Sequence, residues 1–103
     1  MSTQSDLVEK YLVFQFTNVP ASGAVPASET SVCIGEFVDI EEAFTVASKR
    51  VYTDLANTKV ALRYSDENDK IDQLRVSSTE CGYDLLCGFT ILSRIWIHVK
   101  KLS

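Results

Sequence analysis

The sequence predicts an α+β domain. It reads as a single helix packed on a four- to five-stranded sheet, mainly antiparallel or mixed, in the order β-β-α-β-β-β. Three observations carry this expectation. Tyr11 to Val19 and Phe89 to Lys100 alternate with period two and are rich in β-branched and aromatic side chains. Ile40 to Ala56 places apolar residues at helical spacing behind an acidic cap. Polar and Gly- or Pro-containing turns separate the periodic runs. The β-grasp arrangement begins with the same element order, a likeness of architecture that carries no function.

The chain has 103 residues, the size of one domain, so residues 1-103 are read as a single unit. Residues 1-5 are polar and expected to fray. In the first strand Leu12, Phe14 and Phe16 make one face, and Tyr11, Val13, Gln15 and Thr17 the other. Asn18 to Ser31 holds Pro20, Gly23 and Pro26 and reads as a long loop, mobile or functional by its length. Ser31 to Phe37 is a second, shorter strand.

Asp39 is a good N-cap, with Glu42 three positions on and Glu41 adding charge at the positive end of the helix. Phe44, Ala47, Val51 and Leu55 then form the stripe expected to face the sheet, and Asn57 is a plausible stop. Lys59 to Ser65 alternates like a strand. Asp66 to Lys70 is a polar turn, and Ile71 to Ser78 is the returning strand of a hairpin. Ser78 to Gly88 fits a short helical turn or a bulged strand equally. After Gly88 the density of Ile, Thr, Trp and Val favours strand over a continued helix.

Composition narrows the function classes. Net charge is -4, against a chain built to grip phosphate backbones. Cys33, Cys81 and Cys87 are an odd count, which suits reduced thiols in the cytoplasm rather than a disulfide framework. No secretory leader or membrane-length apolar stretch is visible, so no membrane is expected as a partner.

Chemical motifs are sparse. Cys33, Cys81, Cys87 and His98 number the four ligands of a tetrahedral zinc site, but close C-x(2–4)-C spacing is missing, so buried or incidental thiols are the better reading. Neither Cys81 nor Cys87 carries a recognisable nucleophile motif with His98. The acidic run from Asp66 to Asp72 has Ile71 where a calcium loop needs Gly. Phosphate-binding glycine loops and a serine nucleophile elbow are absent. No catalytic residue and no cofactor are expected.

The last strand is the informative one. Ile95, Ile97 and Val99 fall on one side; Arg94, Trp96, His98 and Lys100 fall on the other. The second side combines the only Trp and the only His with cations. That pattern suits a protein-interaction surface, where Trp and Arg are favoured anchors. A strand buried on both sides, whose cations snorkel to water, ranks ahead of that reading. Stacking on single-stranded nucleic acid ranks behind both, given the charge. The expectation is a non-catalytic interaction domain of adaptor or inhibitor type, binding another protein or itself as a homodimer. Contact would be through a sheet face or edge, with Ile91 to Val99 as the candidate edge. The alternative is a ligand-binding or enzymatic domain with a pocket between helix and sheet, lined by Phe14, Phe16, Phe44 and Tyr52.

Overall fold

The computed structural model describes residues 9–19, 23–24 and 26–101. The elements run β1 (Glu9–Val19), β2 (Ser28–Phe37), α1 (Ile40–Tyr64), α2 (Asn68–Ile71), β3 (Leu74–Thr79), β4 (Gly82–Cys87) and β5 (Thr90–Lys101). The order of strands and main helix is β-β-α-β-β-β. The five strands form one open sheet, β2-β1-β5-β4-β3, and every neighbouring pair is antiparallel. The likeness to a β-grasp therefore ends at element order, because the sheet is not mixed.

The β2 and β3 strands are the two edges, and α1 connects them beneath the sheet. Its 25 residues extend about 37 Å at 1.5 Å per residue. Crossing four interstrand gaps needs only about 19 Å, so the helix crosses and overhangs the sheet. Asp39 caps it as predicted, its carboxylate accepting from the Glu41 N–H at 2.9 Å. The buried stripe is Ala43, Ala47 and Val51, four residues apart. Two alanines let the helix backbone approach the sheet closely. The core closes on Val13, Leu85 and Ile95 from three adjacent strands. Phe44 and Leu55 are only half-buried flankers. Phe44 stands edge-on to Tyr83, with ring centroids 6.5 Å apart. Phe44→Ala should accordingly cost about 1–2 kcal/mol rather than a full core penalty, which a thermal melt would show.

Several boundaries differ from the sequence reading. Lys59 to Ser65 is the end of α1, not a strand: Leu62 continues the stripe of Val51 and Leu55, and Asn57 does not stop it. The helix stops in a Schellman motif. The Glu67 N–H donates to the Leu62 carbonyl at 2.8 Å, and the Asp66 N–H to that of Arg63 at 3.1 Å. Asp66 adopts φ 61 there, a conformation that favours glycine. Asp66→Gly should therefore raise stability by about 0.5–1 kcal/mol, measurable by denaturant unfolding. The acidic run forms α2 rather than closing a hairpin, so Ile71 is helical and the strand read from Ile71 begins instead at Leu74, as β3, which pairs with β4.

Ser78 to Gly88 resolves as the end of β3, a turn at Glu80–Cys81 and a further strand. It supplies β4, which joins β5 through the two-residue turn Gly88–Phe89, with Gly88 at φ 63 as a tight hairpin requires. The segment from Asn18 to Ser31 is shorter as a loop than expected, because β1 reaches Val19 and β2 begins at Ser28. Residues 1-5 lie outside the described residues. The Ile91 to Val99 segment is no edge: β5 is the central strand, paired with β1 on one side and β4 on the other. Among the described residues no helix is long and apolar enough to cross a membrane.

Candidate functional site

Strand register decides which side chains share a face. Val13, Gln15 and Ile95 point toward α1; their neighbours Leu12, Phe14, Phe16, Arg94, Trp96 and His98 point the other way. Among the described residues nothing covers that second face. The four residues singled out in β5 thus lie together on the open side of the sheet, with Lys100 exposed at the strand's end opposite Lys10.

The structure adds two residues that the sequence reading placed elsewhere. Phe14 and Phe16 do not line a helix–sheet pocket with Phe44 and Tyr52. They belong to the opposite face from Phe44, and Tyr52 is exposed on the outside of α1. Cross-strand pairing instead sets Phe14 beside Trp96 and Phe16 beside Arg94. The Phe14 ring stands edge-on to His98 with centroids 5.1 Å apart, and Phe16 edge-on to Trp96 at 6.0 Å. Both faces of β1 carry large apolar side chains, and the one with Gln15 and Thr17 is the one that meets the helix, so composition alone does not reveal the inward face.

Electrostatics finishes the face. The Arg94 guanidinium sits 4.9 Å from the Trp96 ring centre, a cation–π contact. Its Nε lies 3.4 Å from Oδ1 of Asp84 on the neighbouring strand. Both of these atoms are buried and make an ion pair without hydrogen-bond geometry; the buried Trp96 Nε1 also has no acceptor. At the far end Lys10 pairs with Glu36 at 3.1 Å. The result is a half-buried aromatic stripe held between charged groups.

Gly82 flanks the stripe on the neighbouring strand. It pairs with Trp96, and a Cβ there would stand 2.0 Å from the Ile95 carbonyl oxygen. The Ile97 N–H donates to the Cys81 carbonyl at 2.7 Å just beside it. This close approach seats β4 against the middle of β5.

The zinc ligand set is not assembled. Cys33 and Gly82 are at opposite ends of the cross-sheet row Cys33–Phe14–Trp96–Gly82. At about 4.8 Å per strand that row separates Cys33 from the Cys81 turn by roughly 14 Å. Cys87 is at the other end of β4. Among the described residues no group of His, Cys, Asp or Glu could hold a metal ion.

A second polar feature occupies the seam under α1. Gln15 is buried, donates to Asp54 Oδ2 at 2.7 Å and accepts from Arg50 Nε at 3.0 Å. Beside it opens a cleft of about 360 Å³ lined by Gln15, Thr17, Asp54, Asn57 and Ser93, among others. Ser93 is 5% exposed and its hydroxyl has no partner. The sequence signal was a polar residue at an inward position of β1. No family model, curated protein or solved structure matches this chain.

Proposed function

We propose that the protein is a non-catalytic interaction domain that binds another protein chain through the open face of its sheet. The observation behind this reading is the stripe of Phe14, Phe16, Trp96 and His98 on a face that no described element covers. Half-buried aromatic surface bordered by charged groups, with no described element over it, favours a protein partner. Trp96 and Arg94 are the residue types that dominate such contacts, and the Arg94–Asp84 pair would strengthen once water is excluded around it. The odd cysteine count supports a reducing compartment, the cytoplasm.

The test compares wild type with Phe16→Ser and Trp96→Ser baits in affinity capture from the source cell, circular dichroism confirming that each variant is folded. Loss of the same captured protein by both variants supports the reading; capture by both as efficiently as wild type removes it. Single-stranded oligonucleotides at low salt should leave Trp96 fluorescence unchanged. Salt-sensitive quenching would indicate phosphate-driven binding instead.

The seam under α1 favours a second reading, small-ligand binding, because the unpartnered Ser93 hydroxyl borders a cleft that also holds Asp54 and Gln15. A thermal-shift screen of small polar compounds tests it, with Ser93→Ala as the control that should erase any stabilisation.

A further inference from the structure

We infer that the cleft under α1 takes a small uncharged, hydroxyl-rich molecule of the polyol or monosaccharide class. The inference is independent of the open face. It rests on the seam under α1 being a ligand site and adds the chemical class of the ligand.

The cleft lies where β5 departs from regular pairing. Leu85 of β4 is opposite Ser93 and Leu86 is opposite Ile91, so Leu92 is an extra residue with no partner on β4. A bulge of this kind re-aims side chains and is common beside functional sites. Leu92 and Ser93 both line the cleft. Across the strand pair stands Thr17, opposite Ser93 on β1. The second half of α1 forms the roof, where Asp54, Asn57 and Ala61 follow at helical spacing.

Hydrogen bonding singles out two atoms at this place. Gln15 uses both ends of its amide within the protein, on Asp54 and Arg50. The Thr58 hydroxyl donates to the Asp54 carbonyl at 2.7 Å. Ser93 is as deeply buried as Gln15, yet its hydroxyl has no partner. Buried polar groups are nearly always paired, so an unpaired hydroxyl at the wall of a cleft points to a ligand atom. Asp54 supplies the second atom. Among the described residues, both contacts of its carboxylate fall on Oδ2, which leaves Oδ1 to accept from a ligand.

These groups select the ligand. The Ser93 hydroxyl can donate or accept, whereas a carboxylate oxygen only accepts. Neighbouring ligand hydroxyls answer both. Charge works against ions of either sign. Asp54 repels an anion, and the Arg50 guanidinium, 3.7 Å from Oδ2, offsets the pull of Asp54 on a cation. Ala61, Leu85 and Leu92 give the ligand's C–H surface an apolar wall. A volume of about 360 Å³ is at the small end for ligand pockets and suits one sugar ring or a short polyol.

The experiment is amide-resolved NMR of the whole chain, titrated with ring probes that differ in charge: myo-inositol, the cyclohexylammonium cation and the cyclohexanecarboxylate anion. Xylitol and glucose extend the uncharged set. The expected result is that an uncharged probe shifts the amides of Thr17, Asn57 and Ser93 at concentrations up to on the order of 10 mM, while neither ion moves them. Ser93→Ala should weaken this binding about tenfold, the loss of one hydrogen bond. The same change removes a buried unpaired hydroxyl, so the variant should melt no lower than wild type, which separates lost binding from lost folding. Binding of an ion at these amides with the uncharged probes silent overturns the ligand class and leaves the small-ligand reading standing. No movement with any of the five probes overturns both. Polyol binding that Ser93→Ala leaves unchanged also overturns the inference.

Discussion

Gly82→Val should lower the melting temperature by roughly 12–24 °C, the shift that a loss of about 3 kcal/mol produces in a domain this small. The side chain has nowhere to go. A Cβ would sit 2.0 Å from the Ile95 carbonyl oxygen and 3.1 Å from the Trp96 Cα, both backbone atoms of the central strand. Backbone cannot rotate aside as a flexible side chain can. Gly82 also holds φ 152, which L side chains rarely adopt. Strain and overpacking each cost about 1–3 kcal/mol. The change should loosen β4 from β5 and blur the environment of Trp96, so near-ultraviolet circular dichroism should fall with stability. A Gly82→Val protein that melts like wild type would mean that the two strands do not approach this closely.

Ile95→Ala should destabilise by about 3–4 kcal/mol, near the upper part of the range for large-to-small core changes. Ile95 is fully buried at the middle of the central strand, between Gln15 and Tyr83 across the sheet and against the core of α1. The alanines of α1 are already at close approach, so little can move in to fill the space. Trp96, one residue along, faces the other way. Its replacement by Ser should cost less stability but abolish partner binding. The contrast between adjacent positions follows from the period-two alternation of a strand with one covered face. Denaturant unfolding of the two variants, read at constant m-value, separates the effects.

The readable parts of this sequence were those in which one local pattern dominates. Asp39 followed by Glu41 and Glu42 fixed the helix start, and the alternation in β5 separated Ile95 and Ile97 from Arg94, Trp96 and His98. The end of α1 is not legible because Val60, Leu62 and Tyr64 alternate while Leu55 and Leu62 also keep helical spacing; packing of the helix against the sheet decides between the two periods. The acidic run after it then looked like a hairpin turn. Segment Gly82–Cys87 was ambiguous because Tyr, Leu and Cys suit several states, and pairing on both sides settled it as strand. The aromatic face was half legible. Its β5 residues stood out by type, but Phe14 and Phe16 joined them only through the pairing of β1 with β5, a long-range contact that no window of the sequence contains. Pairing on both sides of β5 likewise removed it as an edge, and leaves a face as the surface to test.

Hydroxyl-radical footprinting tests that surface most directly, because it reads each aromatic ring separately. Phe14, Phe16, Trp96 and His98 report on the open face, while Tyr52, Tyr64 and Phe89 are exposed elsewhere and serve as internal references. Labelling is compared between dilute purified protein and protein in concentrated source-cell extract. The account predicts that oxidation of Phe14, Phe16, Trp96 and His98 falls in the extract while Tyr52, Tyr64 and Phe89 label equally in both. Protection at Tyr52, Tyr64 or Phe89 with the four open-face residues unchanged would contradict it.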